Sequence, residues 1–218
     1  ILRTYKLGES DRIVVFLTRD RGKKRGVAKG ARRARSPFAA GLEPLTEARV
    51  AYFEKEQREL VGLNYAETVR SPMAMVGMTA DGAGVQPGAD ALGYVGYFAE
   101  LLDEWAQDAD ADDRLYRLGV SVLDAMATQT PVEPLARYFE YWLLRLQGVY
   151  PEARGTLSDG ALAFLAASRT VAPQRMGEVP AGARVMRELE NAHRALITMH
   201  LEKTLKSDRV IRDLRRQD

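Results

Sequence analysis

The N-terminal third of the chain alternates apolar and polar residues over short runs, a pattern that favours β-strands with one buried face. The runs are rich in β-branched and aromatic residues, and turn-forming residues separate them. The five predicted strands span residues 2–5, 12–18, 24–28, 44–53 and 59–64. Because the gaps between them are too short for crossover helices, we expect a small antiparallel barrel.

Beyond Pro72 the apolar residues recur every three or four positions, which predicts helices with one buried face. The six predicted helices span residues 90–107, 113–128, 134–147, 158–167, 183–201 and 208–214. Asp112 or Asp113 is a candidate N-cap of the second helix, and Ser158 is a candidate N-cap of the fourth. The predicted fold class is therefore α+β, with a β-barrel over residues 1–68 followed by an α-helical bundle over residues 69–218.

Length and composition are those of a globular protein. With 218 residues, of which 46% are apolar, the chain can bury one large or two modest cores. No apolar stretch approaches the roughly 20 residues that span a bilayer, and the first residues do not form an export signal, so we expect a cytoplasmic protein without a membrane partner. The absence of cysteine excludes disulfides, thiolate zinc sites and cysteine nucleophiles. Since the chain begins at Ile1 rather than at a methionine, we expect N-terminal residues to be missing from it.

Charge is distributed unevenly along the chain, although the formal net charge is only +2. Residues 1–35 contain twelve basic and three acidic side chains, whereas residues 90–113 contain eight acids and no base. Nine of the basic residues lie between Arg19 and Arg35. Such a run repels itself, so an external polyanion, with nucleic acid as the first candidate, is the expected partner. The alternative is a solvated loop with generic surface charge. The apolar run at residues 13–17 indicates instead that the basic residues belong to a folded element.

Motifs for catalysis and metal binding are missing from the sequence. The segment 22–30 contains glycines and lysines but lacks the Ser or Thr that follows Lys in a phosphate-binding loop. His193 and His200 lie seven residues apart, roughly 10 Å along a helix, which is too far to share one metal ion. Paired carboxylates such as Glu54 and Glu56 have basic neighbours and are interpreted as structural charge pairs. We therefore predict a binding protein that is not an enzyme, with no catalytic residue and no metal site.

Aromatic residues near the basic run are candidates for stacking on nucleic-acid bases. Those in the predicted barrel are Tyr5, Phe16, Phe38, Tyr52 and Phe53. Phe38 is the preferred candidate, because Ser36-Pro37 places it just after the basic run. The aromatic residues of the third helix are interpreted as core residues instead; they are Tyr138, Phe139, Tyr141 and Trp142.

Four motifs in the N-terminal segment follow one another in a specific order. They are Gly8-Glu9-Ser10-Asp11, the segment from Thr18 to Gly22, Val27-Ala28-Lys29-Gly30-Ala31-Arg32-Arg33 and Leu42-Glu43-Pro44-Leu45-Thr46. In this order they resemble the N-terminal domain of the bacterial recombination mediator family RecO. A weaker similarity to the same family continues through residues 137–148 and 205–210, so that the resemblance spans nearly the whole chain.

This resemblance implies an oligonucleotide-binding (OB) fold at the N-terminus, followed by a helical domain. It also implies a non-enzymatic function. It implies a mediator of DNA repair and recombination that binds single- and double-stranded DNA and anneals complementary strands. With RecR, such a mediator helps RecA to displace single-stranded-DNA-binding protein (SSB). The phosphate contacts expected on this basis are Arg19, Lys23, Lys24, Arg25, Lys29, Arg32, Arg33 and Arg35, with Phe38 beside them.

The resemblance also implies a second surface in the helical domain, where relatives dock the acidic tail of SSB in an apolar pocket with a basic rim. On this basis Arg137 is the expected basic contact, and Leu115 and Leu118 are the expected pocket wall. The alternative is that Arg137 pairs with Glu133 or Glu140 on its own helix.

The chain departs from many relatives at the four-cysteine zinc site that they carry between the third and fourth helices. Residues 149–157 contain no cysteine, so neither zinc nor another cofactor is expected here. Either the metal site has been lost, or a cysteine-bearing segment is missing from this sequence.

Two other classes of function stay open at this point. A basic barrel followed by a helical bundle is also compatible with an RNA-binding module, or with a scaffold whose basic face binds an acidic protein. The oligomeric state, the dependence on RecR, the preferred form of DNA and the role of the acidic stretch 90–113 are likewise open.

Overall fold

Two compact units make up the chain in the computed structural model, which describes residues 1–56, 59–72, 89–151 and 157–214. Unit 1 comprises Ile1–Gln86 and Val95–Tyr116, and unit 2 comprises Pro87–Tyr94 and Arg117–Asp218. Unit 1 therefore includes residues 95–116, which lie beyond the predicted domain boundary between residues 68 and 69.

Unit 1 contains a five-stranded sheet whose strands are close to those predicted. The strands are β1 (Arg3–Leu7), β2 (Asp11–Thr18), β3 (Gly22–Ala28), β4 (Glu47–Phe53) and β5 (Val61–Arg70). β5 extends to Arg70, six residues further than predicted, because its second half carries exposed polar side chains while its backbone pairs with β4.

The strand order in the sheet is β1-β2-β3-β5-β4, and β5 runs parallel to β3. The prediction of a purely antiparallel sheet is therefore wrong at this one pairing. The parallel pairing arises because the connection after β3 carries the chain across the sheet. β4 then forms an edge, and β5 returns between β4 and β3. The sheet does not close into the predicted barrel, since the described residues show no pairing between the edge strands β1 and β4.

The core of unit 1 lies under one face of this sheet. Val14 and Phe16 of β2 pack there with Leu63 of β5 and with Phe38 from the β3–β4 connection. Phe38 is only 2% exposed. The prediction that its ring stacks on bases at the surface is not met, because Phe38 is the large apolar side chain of its connection and is stabilised by burial under the sheet.

The helices also lie close to their predicted positions. They are α1 (Ala89–Trp105), α2 (Asp113–Ala127), α3 (Val132–Leu146), α4 (Asp159–Ala167), α5 (Ala183–Leu201) and α6 (Lys206–Leu214), with 3-10 turns at Ala39–Leu42 and Pro173–Glu178. α3 begins two residues before Pro134, since proline is tolerated in a first turn whose N–H groups have no helical partner. Both predicted caps are confirmed: Asp112 accepts a hydrogen bond from the N–H of Leu115, and Ser158 accepts one from Ala161. Among the described helices, none has the length and hydropathy needed to cross a membrane.

The predicted aromatic core of the third helix is confirmed in unit 2. Tyr141 of α3 packs in a cluster with Phe164 of α4 and Leu189 of α5. Trp142 lies edge-on to Tyr141, and its indole N–H donates a 2.9 Å hydrogen bond to the carbonyl of Ser168. The indole thus finds the polar partner that a partly buried tryptophan requires.

Arg137 lies inside unit 2, where its side chain is 2% exposed. Its guanidinium donates a 2.8 Å hydrogen bond to Glu140 of the same helix and lies 3.6 Å from the carboxylate of Glu190 on α5. Glu140 in turn lies 2.9 Å from Nδ1 of the buried His193. Arg137 therefore does not form the rim of a surface pocket, and the alternative of a pair with Glu140 is confirmed. A buried cation requires such carboxylate partners to offset its lost hydration.

The two leucines predicted to form the pocket wall are core residues as well. Leu115 belongs to unit 1 and Leu118 to unit 2, and both side chains are buried. The stripe on which the prediction placed them is the apolar face of the amphipathic helix α2, which is covered by protein rather than open to a partner.

Substituting Arg137 by alanine is expected to lower the free energy of unfolding of unit 2 by about 3–5 kcal/mol, because it leaves Glu140 buried without this cation. Urea unfolding measures the loss, followed by the tryptophan fluorescence to which Trp142 of unit 2 and Trp105 of unit 1 both contribute. The matched control is Arg187→Ala, which removes an exposed arginine of α5 and should change stability by less than about 0.5 kcal/mol. Equal losses in the two variants would contradict the structural role of Arg137.

Candidate nucleic-acid interface

The basic run divides into two groups in the structure. The first group lies between Arg19 and Arg25, and acidic side chains pair with it. Arg19 follows β2, and its Nε donates a 2.7 Å hydrogen bond to Asp113, which raises the pKa of the guanidinium. Lys24 of β3 donates a 2.8 Å hydrogen bond to Glu54, which lowers the pKa of that carboxyl. These cations remain candidates for phosphate contact, but a phosphate must compete with a carboxylate for each of them.

Lys23 is the most enclosed cation of this group, with a side chain that is 11% exposed. Its ammonium donates a 2.7 Å hydrogen bond to the carbonyl of Asp103 and lies 3.5 Å from the carboxylate of the same residue. Arg25 is more open, and its guanidinium lies 3.7 Å from the carboxylate of Asp108. Lys23 is therefore a structural cation, whereas the side chain of Arg25 is about half exposed to solvent.

An acidic connector, defined as residues 106–112 between α1 and α2, lies along the start of β3. The N–H of Lys23 donates to the carbonyl of Gln107, and the N–H of Ala109 donates to the carbonyl of Lys23. Asp108 thereby forms a parallel bridge with Lys23. A side chain at Gly22, whose φ is +66°, would overlap the backbone of Asp110, so this close contact requires glycine.

The second group of cations is exposed and lies in the basic loop, defined as residues 29–35 after β3. Its members are Lys29, Arg32, Arg33 and Arg35. The loop is anchored to the β1–β2 turn: the N–H of Arg32 donates to the carbonyl of Ser10, and its guanidinium donates to the carbonyl of Glu9. These contacts hold the loop by its backbone and one side chain, while the positive charges face solvent.

Asp11 fixes the first turn of the basic loop. Its carboxylate accepts a 2.7 Å hydrogen bond from the N–H of Gly30 and a 3.1 Å hydrogen bond from the hydroxyl of Ser10. These hydrogen bonds, together with the nearby charges of Lys29 and Arg33, lower the pKa of Asp11. The carboxylate is therefore ionised near neutral pH and holds the loop at the edge of the sheet.

A cross-strand row of five residues crosses the outer face of the sheet beside this loop. The pairing register aligns Tyr5, Ile13, Val27, Gly62 and Phe53. The two ends of the row are exposed aromatic rings, with Tyr5 47% exposed and Phe53 44% exposed. At a spacing of about 4.8 Å between strands, the row is about 19 Å long.

Phe53 is exposed on the outer face of the sheet, as the sequence analysis expected of Phe38. Its ring covers Gly62, where any side chain would overlap it, and the ammonium of Lys55 lies 5.5 Å from the ring centroid. A groove of about 500 Å³ beside the ring is lined by Val27, Lys29 and Phe53 among others. Phe53 was among the aromatic candidates, but only the strand register shows that it faces outward.

The part of the chain that the structure describes shows no candidate metal site. In those residues no three histidine or acidic side chains are grouped in a way that could hold a metal ion. The position of the relatives' zinc site, residues 149–157, falls largely outside the described residues, because residues 152–156 are not among them.

The chain matches two family models. Residues 1–72 match the model described as "Recombination protein O N terminal", and residues 87–154 match "Recombination protein O C terminal". The first of these contains the whole five-stranded sheet, the basic loop and the cross-strand row.

Curated proteins similar to the chain carry the name DNA repair protein RecO. The chain is 39% identical to that of Koribacter versatilis (strain Ellin345) over 153 residues, which cover 70% of the chain and 58% of the relative. It is 34% identical to that of Anaeromyxobacter sp. (strain K) over 161 residues, 74% of the chain and 59% of the relative. It is 38% identical to that of Bifidobacterium longum (strain DJO10A) over 131 residues, 60% of the chain and 50% of the relative. The chain thus aligns with half to three fifths of the length of these relatives.

Replacing Asp11 by asparagine is expected to destabilise unit 1 in a pH-dependent way. Since the folded-state pKa of Asp11 is lowered from its ordinary value of 3.8, the stabilisation is present above that pH and lost as the pH falls through the folded-state pKa. Thermal unfolding should show a lower midpoint for Asp11→Asn than for the wild type at about pH 7, and the difference should shrink and then vanish as the pH falls below the folded-state pKa. Asp20→Asn, which neutralises an exposed acid in the same unit, is the control, and equal pH profiles for the two variants would contradict the role of Asp11.

Proposed function

The chain belongs to the RecO family of DNA repair proteins, and we propose on this premise that it binds DNA through the basic loop. The observation that carries the proposal is the exposure of Lys29, Arg32, Arg33 and Arg35 in a loop anchored at the edge of a sheet. Guanidinium and ammonium groups held in this way suit the phosphates of a nucleic-acid backbone. Contacts to phosphates carry no information about the bases, so the proposed binding has low sequence specificity.

We propose that the protein binds both single- and double-stranded DNA and anneals complementary strands. Annealing requires a cationic surface that screens two phosphate backbones against each other, and no covalent bond is made or broken. Acting on bacterial chromosomal DNA in the cytoplasm, the protein would bind SSB, work with RecR and so assist the loading of RecA onto SSB-coated DNA. Support for these partners comes from family membership, and Arg137 is not among the proposed contacts because it is buried.

Removing the charges of the basic loop is expected to weaken DNA binding for every sequence to a similar extent. In the variant Arg32→Ala, Arg33→Ala and Arg35→Ala, three phosphate contacts are lost, so the slope of log affinity against log salt should become shallower by about 2 for a single strand. Fluorescence anisotropy of a labelled oligonucleotide across a salt series measures both quantities.

The matched control removes three exposed arginines from unit 2: Arg169, Arg184 and Arg187. It changes the net charge by the same amount and should leave the salt slope near the wild-type value, because these positions lie outside the proposed interface. Unchanged affinity and slope in the basic-loop variant would refute the proposed DNA contact.

A strand-annealing assay separates the proposed mediator from the two other classes of function. Complementary oligonucleotides are mixed with the protein, either naked or already coated with SSB. A mediator accelerates annealing in both cases, an RNA-binding module or other generic nucleic-acid binder accelerates it only for naked strands, and a scaffold for acidic proteins accelerates neither. The basic-loop variant should lose the acceleration in both cases if the loop is the DNA contact.

A further inference from the structure

Polar contacts hold the acidic connector against β3, whereas apolar burial holds the strands of the sheet together. Residues 107–111 of the connector are all exposed. Besides the two backbone hydrogen bonds to Lys23, the carboxylate of Asp108 lies 3.9 Å from the ammonium of Lys23 and 3.7 Å from the guanidinium of Arg25. Exposed hydrogen bonds with little apolar burial are typical of segments that open locally at low cost in free energy.

The backbone of the connector is strained where it meets β3. Ala109, whose N–H donates to the carbonyl of Lys23, has a φ of +57°. A residue with a Cβ adopts this left-handed conformation at a cost, whereas glycine adopts it readily. On the strand side of the same contact the chain does supply a glycine, Gly22. The docked connector therefore stores strain at Ala109, and this strain favours its release.

Release of the connector would uncover a cation without leaving an enclosed charge unpaired. The side chains of Arg25 and Asp108 are 54% and 63% exposed, and an exposed ion pair of this kind is weak. A phosphate can take the place of the Asp108 carboxylate, because a guanidinium binds both groups in the same geometry. Lys23 would keep its hydrogen bond to the carbonyl of Asp103, which belongs to α1 and not to the connector.

We propose that the acidic connector is an autoinhibitory segment, which covers the start of β3 and is displaced by a polyanion bound to the basic loop. The proposal rests on the proposed DNA-binding function and concerns the regulation of that function. While the connector is docked, DNA contacts the basic loop alone; after its release, Arg25 contributes a further phosphate contact. Because release requires part of the binding free energy, affinity depends on how firmly the connector docks.

Amide hydrogen exchange of the full chain, resolved by NMR, tests the displacement directly. With a saturating single-stranded oligonucleotide, the N–H of Ala109 should exchange roughly fivefold faster than in the free protein, since it leaves its acceptor on β3. The N–H of Arg32, which anchors the basic loop to Ser10, is the reference and should not exchange faster. Unchanged or slower exchange at Ala109 in the complex would mean that the connector stays docked, which would overturn the proposal.

Two substitutions of Ala109 should change the affinity in opposite directions without changing the net charge. Ala109→Gly relieves the strain of the docked connector, so DNA affinity should fall roughly threefold. In the free Ala109→Gly protein, the N–H of Lys23 should exchange more slowly than in the wild type. Ala109→Val places a β-branched residue at a positive φ and favours release, so affinity should rise roughly threefold.

Ala111→Gly is the matched control for the added flexibility of a glycine. Ala111 lies in the same connector, is exposed and has no positive φ, so its replacement should leave affinity and exchange near the wild-type values. Circular dichroism checks that all three variants fold. Changes of the same sign in Ala109→Gly and Ala109→Val, or equal effects of Ala109→Gly and Ala111→Gly, would contradict autoinhibition.

Asp108→Asn tests the ion pair that docks the connector. Removing this carboxylate should raise DNA affinity about threefold, because Arg25 is then free of its intramolecular partner. Glu67→Gln is the matched control, since Glu67 has the same charge and pairs with the exposed Arg49 at 3.8 Å. It removes no partner of β3, so affinity should change by less than about 1.5-fold. Equal gains in the two variants would show a general effect of net charge and would refute the specific role of Asp108.

Failure of this inference can be distinguished from failure of the proposed function. If the basic loop is not the DNA contact, its triple variant binds DNA as well as the wild type does. If only the inference fails, the triple variant loses affinity as expected, while the exchange of Ala109 and the affinities of the Ala109 variants stay at the wild-type values. The two sets of variants share no residue.

Discussion

The neutralisation of strand β3 by acidic residues is the constraint on which the rest of unit 1 depends. Lys23 is largely enclosed, and an enclosed ammonium is stable only when acceptors replace its hydration. Asp103 supplies a carbonyl and a carboxylate, and the acidic connector is bonded to β3 by two backbone hydrogen bonds. The cations at the start of the basic run are therefore part of the fold. The exposed cations that follow them in the basic loop have their charges directed to solvent.

Unit 2 obeys the same rule, since an enclosed cation is again compensated by carboxylates. Arg137 is buried within a helical core, and its charge is compensated by Glu140 and Glu190. Its position in a motif shared with relatives indicated a surface contact, but its partners make it a core residue. In both units an enclosed cation is held by carboxylates, whereas the cations of the basic loop are exposed.

The insertion of β5 between β3 and β4 completes the cross-strand row on the outer face of the sheet. It brings Gly62 between Val27 and Phe53, and the missing side chain at Gly62 leaves the space that the ring of Phe53 occupies. The basic loop follows one end of β3, and the acidic connector is bonded to the other end. The strand order thus completes the row, whereas the charge difference along β3 comes from the segments at its two ends.

The sequence by itself determined those features that depend on near neighbours. Strand alternation, helical periodicity and caps such as Ser158 are local, since they arise from contacts within a few residues, and the family motifs are read directly from residue order. Only the tertiary structure decided that Phe38 is buried while Phe53 is exposed, that Arg137 is a core residue, and that β5 runs parallel to β3. The acids that pair with Arg19 and Lys23 are 94 and 80 residues away along the chain. Pairing at such a distance depends on how the chain folds back on itself, and no local pattern records it.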